Sequence, residues 1–250
     1  MKPHAVSTRF NYGTAGRLGV ILPSGNTAVE PQFETLRPWG MSCHYARLAL
    51  TGSSDQQLMA MAEHVEEAAL LLKDAGVGLI AFHCTAVSTW NSALEDSILK
   101  RIQAATQLPA IATSQALAAA LSAVGGKRLA LLSPYNQAIA QREQAFLEEH
   151  GFTIVENRFL GLDTPDEMIA VPPQQWFDML MTSDCQDADA MLVSCTAIRA
   201  VEVVDAAEQA LGKPVITSNS AMLWYSARRL GIAVELDEIG RLGALRLPRS

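Results

Sequence analysis

The chain carries none of the short signatures that hold a nucleotide or a hydrolytic nucleophile: no GxGxxG, no GxxxxGK[ST] and no GxSxG occurs in its 250 residues. Their absence excludes the glycine-rich phosphate cradle of nucleotide and flavin enzymes and the nucleophile elbow of serine hydrolases. No CxxC or HxxxH spacing occurs and the five histidines are scattered, so no metal and no cofactor is expected. Four cysteines are too few for a disulfide framework, which leaves thiol chemistry or plain burial. Positive charge is scarce as well. With 19 Lys and Arg against 26 Asp and Glu, the net charge is −7 and no basic cluster exists to attract a phosphate backbone, so nucleic acid is not an expected partner. No apolar run approaches the roughly 20 residues needed to cross a bilayer. The start, MKPHAVSTRFNYGTAGR, lacks the apolar core and cleavage site of a signal peptide. No membrane partner and a cytoplasmic location are therefore expected.

What is present is an apolar content of 49%, ample for a packed core, arranged as a duplication. Arg17-Leu18 recurs as Arg128-Leu129, Pro23 as Pro134, and Cys84-Thr85-Ala86 as Cys195-Thr196-Ala197, with Gln137 opposite Asn26, all at an offset of 111 residues. Pro109 to Ser114 is echoed by Pro214 to Ser218 at an offset of about 104. Each half alternates β-branched runs with helical patterns, the βαβ rhythm of a parallel sheet. Strands are predicted over 17–23, 43–50, 78–83 and 109–112, then 128–133, 152–159, 189–194 and 214–217. Helices are predicted over 27–37, 56–75, 91–106 and 114–124, then 136–150, 174–183, 200–211 and 219–230. The expected fold is α/β: an extension over 1–16, then two similar lobes over 17–125 and 126–250, related by a pseudo-two-fold. The last segment of each half is free to cross onto the other lobe. Parallel strands place ligands at their carboxyl ends, here in the cleft between the lobes.

Cys84 and Cys195 each end an apolar strand and precede Thr and a helical segment, where backbone amides favour a thiolate. One such cysteine reads as structural. Two at equivalent positions, facing one cleft from opposite lobes, read as a base and an acid for opposite faces of one carbon. Cys43 and Cys185 have no counterpart in the other half and are expected to be bystanders. Ser24, Asn26 and the turn around them offer donors to a carboxylate, or simply cap a helix. Tyr135, at the matching turn of the second lobe, adds a phenol for an oxyanion or enolate. Both Asn26 and Tyr135 lie in turns, so their truncation is expected to spare the core.

The segments Arg17 to Thr27, Cys84-Thr85, Ser133-Pro134-Tyr135, Ser194-Cys195-Thr196 and Gly212 to Trp224 resemble the maleate isomerase and arylmalonate decarboxylase branch of the aspartate/glutamate racemase superfamily. The resemblance implies a cofactor-independent enzyme acting on a small carboxylic acid. In it Cys84 would add to the substrate double bond, Cys195 would donate and accept the proton, Asn26 would bind a carboxylate and Tyr135 an oxyanion. Ser24, Thr85 and Thr196 complete the expected binding set, and a homo-oligomer, dimer or tetramer, is expected. Arylmalonate decarboxylases keep only the second cysteine, so Cys84 points to the isomerase. There is one departure: the Asp-Asn pair that usually follows the sixth strand in maleate isomerases is replaced by Asp163-Thr164-Pro165-Asp166, with Asp163 or Thr164 as stand-ins. The rival readings are a two-thiol amino-acid or hydantoin racemase, a malonate-type decarboxylase, and a non-catalytic two-lobed binding protein.

Cys84→Ala and Cys195→Ala should each abolish turnover, whereas Cys43→Ala and Cys185→Ala should leave it nearly unchanged. A fully active Cys84→Ala enzyme would exclude the two-thiol reading.

Overall fold

The computed structural model describes residues 10–183 and 186–248, so Cys185 lies outside the described residues. Two four-stranded parallel sheets are built alike. In the first, β1 (Gly16–Pro23), β2 (Met41–Leu48), β3 (Leu79–Phe82) and β4 (Ala110–Ala112) lie in the order β2-β1-β3-β4. In the second, β5 (Arg128–Tyr135), β6 (Thr153–Leu162), β7 (Ala190–Val193) and β8 (Val215–Thr217) lie in the order β6-β5-β7-β8. The central strands β3 and β7 are buried along their whole length, because helices cover both faces of a parallel sheet. Each cysteine of the duplicated pair follows one of these central strands by a residue or two, at its carboxyl end.

The helices are α1 (Val29–Leu36), α2 (Asp55–Glu63), α3 (Val65–Asp74), α4 (Thr85–Ser88), α5 (Ser92–Thr106) and α6 (Thr113–Ala123), then α7 (Gln137–Glu149), α8 (Pro165–Ala170), α9 (Pro173–Met181), α10 (Val204–Leu211) and α11 (Ser218–Arg229). Three differ from the sequence reading. The single helix predicted over 56–75 breaks at His64, which leaves helical geometry at φ −105°, ψ 20°. The short α4 was not expected. Neither was α8, although Thr164-Pro165-Asp166-Glu167 has a complete start signal: Thr164 accepts from the Glu167 amide, Glu167 reaches back to the Thr164 amide, and proline occupies the first turn. The segment, to which the sequence pattern assigns no helix or strand, forms a wall of the cavity described below.

The lobes meet through α6 and α11, which pack on each other; α6 reaches β8 of the second sheet and α11 reaches β3 of the first. Trp224 of α11 is fully buried and donates from Nε1 to the Leu245 carbonyl. At the rim, Arg142 of α7 pairs with Asp55 of α2 at 3.0 Å and stacks over the Trp90 ring at 3.5 Å. Among the described residues no helix is long and apolar enough to cross a membrane.

The end of α11 is held by one side chain. Arg228 donates to the carbonyls of Ile232, Val234, Gly243 and Leu245 at 2.7–3.0 Å, wrapping the C-terminal segment around a planar fork. Arg228→Met should cost about 2 kcal/mol in chemical denaturation. Arg228→Lys should recover less than half, since a single ammonium cannot span the same carbonyls.

Candidate active site

Both thiols line one cavity between the lobes, bounded by the turn after β1, the loop ahead of α2, the start of α4, Tyr135, α8 and the segment after β7. Its polar wall is Asn26, Ser53, Thr85, Tyr135 and Thr196; its apolar wall is made chiefly by Leu50, Leu58, Pro165 and Met168. The enclosed space is about 40 Å³. A far larger groove of about 670 Å³, lined by Gln32, Arg199 and Glu202 among others, lies outside this site and contains no cysteine.

The two cysteines are each 4% exposed, and burial opposes ionisation of both. Cys84 is pushed up to about 12, first by burial, against amide hydrogen bonds from Val87 and Ala86 that favour the thiolate and the nearby Cys195 that does not. Cys195 is pushed up to about 11 by burial, against hydrogen bonds from Tyr135 and the Ala197 and Thr196 amides. The helix-start amides foreseen in the sequence are therefore present, but desolvation outweighs them and favours the protonated form of both thiols. The backbones differ. Cys84 is extended at φ −146°, whereas Cys195 has φ 127°, a conformation costing a non-glycine residue roughly 1–3 kcal/mol. Two bonds hold Cys195 there: its amide donates to Ser218 Oγ at 3.1 Å, and its Sγ accepts from the Ala197 amide at 3.3 Å.

Asn26 has two tasks. Its Oδ1 accepts from the Ala28 and Val29 amides at 2.9 and 3.1 Å, capping α1, which aims Nδ2 at Thr196 Oγ1 of the other lobe, 3.0 Å away. One Nδ2 proton remains for a ligand. Since Asn26 is 1% exposed and Tyr135 3%, the expectation that truncation would spare the core is corrected: both side chains are packed. The turn itself is clamped by Arg47, which donates to the carbonyls of Ser24 and Asn26 at 3.0 and 2.7 Å and pairs with Glu30.

Ser24 is not brought to the cavity. It is exposed, and its hydroxyl exchanges hydrogen bonds with the Leu50 backbone, fixing the loop that closes one side. Neither stand-in for the missing asparagine faces inward. Thr164 is committed to the α8 cap, and Asp163 accepts from Asn136 Nδ2 at 2.8 Å and, through its carbonyl, from Ser53 Oγ at 2.6 Å. Pro165 and Met168 supply that end of the cavity instead. Cys43 lies elsewhere, half-buried on β2, with its thiol pushed up to about 12 by burial.

Sequence reasoning missed the residues that join the halves. Ser218 Oγ accepts from Thr85 Oγ1 at 2.9 Å as well as from the Cys195 amide, so one hydroxyl touches the cysteine motifs of both lobes. Asn219 Nδ2 donates to Gln32 Oε1 at 2.5 Å and the Thr196 carbonyl at 3.1 Å. That orients Oδ1 toward His83, whose Nε2 must then carry the proton of their 2.9 Å bond, leaving Nδ1 to accept from Thr113. Burial lowers this imidazole to about 4, so it is neutral. The position of Thr217-Ser218-Asn219 at a strand end was the available signal.

Asn26→Ala should lower stability by about 1 kcal/mol through the lost cap and turnover by about 100-fold through the lost donor. Asn26→Asp retains the cap and removes the donor, so it should keep most of the melting temperature and little of the activity. Tyr135→Phe should lose turnover with little change in melting. Equal losses in all three variants, in step with stability, would leave capping as the sole role of Asn26.

The arylmalonate decarboxylase (Amdase) family model matches residues 18–243. A maleate isomerase of Nocardia farcinica is 28% identical over 237 residues, covering 90% of this chain and 94% of the relative. An arylmalonate decarboxylase of Bordetella bronchiseptica is 26% identical, covering 86% and 90%. A solved Nocardia farcinica maleate cis-trans isomerase, a cysteine-to-serine variant with a covalently bound succinylcysteine intermediate, superposes with a TM-score of 0.84 at 26% identity, covering 91% of this chain and 97% of that one. A match over nearly the whole chain, on the fold and paired thiols just described, makes this protein a member of the Amdase family, in the branch of maleate isomerases and arylmalonate decarboxylases.

Proposed function

We propose that this protein is a cofactor-independent cis–trans isomerase of a small unsaturated dicarboxylate, converting maleate to fumarate or acting on a close analogue. The observation that carries the reading is the meeting of Cys84 and Cys195 in one small cavity, in a chain whose relative forms a succinylcysteine. Burial favours the protonated form of Cys84, so its proton must leave before the sulfur can add, and a carboxylate of the bound diacid serves as the acceptor. The thiolate adds to one alkene carbon, and Cys195 gives its proton to the other. The carbon–carbon bond, now single, rotates. Cys195 then recovers that proton, the carbon–sulfur bond breaks, Cys84 takes its own proton back from the carboxylate and the trans diacid departs, so nothing is consumed. Asn26 Nδ2 and the Thr196 hydroxyl bind one carboxylate with neutral donors, Thr85, whose hydroxyl donates to Ser218, lines the wall beside them, and Tyr135 stabilises charge next to Cys195. The apolar end made by Pro165 and Met168 suits a substrate with an aliphatic substituent or a weakly held second carboxylate.

Decarboxylation is the second reading, favoured by the family's other named activity. The presence of Cys84 argues against it, since by the resemblance arylmalonate decarboxylases keep only the second cysteine. The same proposal places the protein in the cytoplasm, where the free thiols among its described residues would stay reduced, and takes it to be a homo-oligomer.

Incubating Cys195→Ser with maleate should give an adduct on Cys84 heavier by the whole diacid, seen by intact mass and located by peptide mapping, because addition expels no group. If no unsaturated diacid labels Cys84 while an amino acid or hydantoin exchanges its α-hydrogen with deuterated solvent, the racemase reading replaces this one.

A further inference from the structure

Behind each cysteine the duplication places a different kind of group. The residue before Cys84 is His83 and the residue before Cys195 is Ser194; on the first helix of each half, Gln32 and Glu143 stand at that same offset of 111 residues. In the first lobe the set is neutral: His83 bonds Asn219, and Asn219 bonds Gln32. In the second lobe, Ser194 Oγ donates directly to Glu143 Oε1. Glu143 is fully buried, and its Oε2 has no partner. A carboxyl sealed in the core with one hydrogen bond is costly to ionise, and a Leu or Met would fill the space more cheaply. Its presence next to the site calls for a role that the isomerisation steps above do not use.

We propose that Glu143 is a positioning residue that acts on one of the two duplicated cysteines, its carboxylate behind Ser194-Cys195 holding the proton on Cys195 so that this thiol serves as the proton carrier, while Cys84 is backed by neutral groups. The assignment rests on the isomerase reading for the roles it distinguishes, but the asymmetry itself is independent of substrate. A like charge close by disfavours a second anion, so ionised Glu143 raises the proton affinity of Cys195 and of the Tyr135 phenol, and it acts on both. Burial lifts Glu143 itself to about 7, against the Ser194 hydrogen bond, which places its change of charge near neutrality. Of the other charged groups on the elements around it, Glu148 on the same helix accepts from Gln144, Glu149 accepts from Ser92, and Arg128 of β5 pairs with Asp187. Arg142 of the same helix turns to Asp55 and Trp90, and on β6 Glu156 and Arg158 pair with each other at 3.8 Å. Above neutrality Glu143 is an anion and Cys195 holds its proton most tightly; below it that support is lost, and Cys195, at about 11 already the more acidic thiol beside Cys84 at about 12, becomes more acidic still.

The test reads each thiol directly. Cysteine labelled with carbon-13 at Cβ reports its own protonation by chemical shift, with signals assigned by single Cys→Ser variants, and needs neither substrate nor reagent access. Glu143→Gln preserves shape and can still accept from Ser194. In it the thiolate fraction of Cys195 at pH 9.5 should rise about tenfold, one pKa unit, while Cys84 is unchanged. Glu143→Asp, with the charge kept but drawn back, should fall between Gln and wild type. An unmoved Cys195, or equal shifts at both thiols, would overturn the proposal. A loss of melting temperature with no change in either titration would make Glu143 merely structural. Failure of the maleate adduct to form would leave this experiment untouched, so the two readings fail separately.

Discussion

The hydroxyl of Ser218 is the point on which the site depends. It accepts from Thr85 of the first lobe and from the amide of Cys195 in the second, so the relative placement of the two cysteine motifs passes through one buried oxygen. Asn219 beside it ties His83, Gln32 and the Thr196 carbonyl together in the same way. Both residues sit at the start of α11, where the Thr217–Ser220 capping box fixes the helix entry. In a low-dielectric core an unpaired member of such a network is expensive, so the geometry has few alternatives. The lobes are bolted together by polar groups that only fit one way.

This constraint explains how a strained residue persists. Cys195 adopts φ 127° because its amide must reach Ser218 while its sulfur stays within reach of the Ala197 amide and Tyr135. Cys84 makes comparable contacts from an extended backbone, without that cost. Duplication supplied two thiols of equal origin, and the surroundings made them unequal: one strained, hydrogen-bonded to a phenol and backed by a carboxyl, the other relaxed and backed by a neutral imidazole. A reaction that needs a nucleophile and an acid from the same residue type requires such a difference.

The cavity is small because local signals elsewhere in the chain converge on it. The cap formed by Thr164 and Glu167 starts α8, and α8 brings Met168 within 3.8 Å of the Cys195 sulfur. Ser24 and Arg47 hold the loop and the turn that carry Leu50 and Asn26. None of these supports is itself a chemical group of the reaction. Together they exclude water, which strengthens every neutral donor facing a carboxylate.

The parallel α/β architecture, the duplication and the strand-end location of both thiols were legible in the sequence, because hydrophobic periodicity and a repeated Cys-Thr-Ala are local patterns. So was the Asn26 turn, though not that its amide serves a helix cap and the opposite lobe at once. The helix break at His64, the walls made by α8, and the joining role of Ser218 and Asn219 were decided by tertiary structure. His83 and Asn219 are 136 residues apart and Thr85 and Ser218 are 133, so no window of sequence contains either pair. The packing of α11 on α6 brings them together, and the cost of burying a polar group unpaired then dictates who bonds whom. The ionisation of the thiols was decided there too: helix-start amides are a local feature, but the burial that outweighs them belongs to the closed fold.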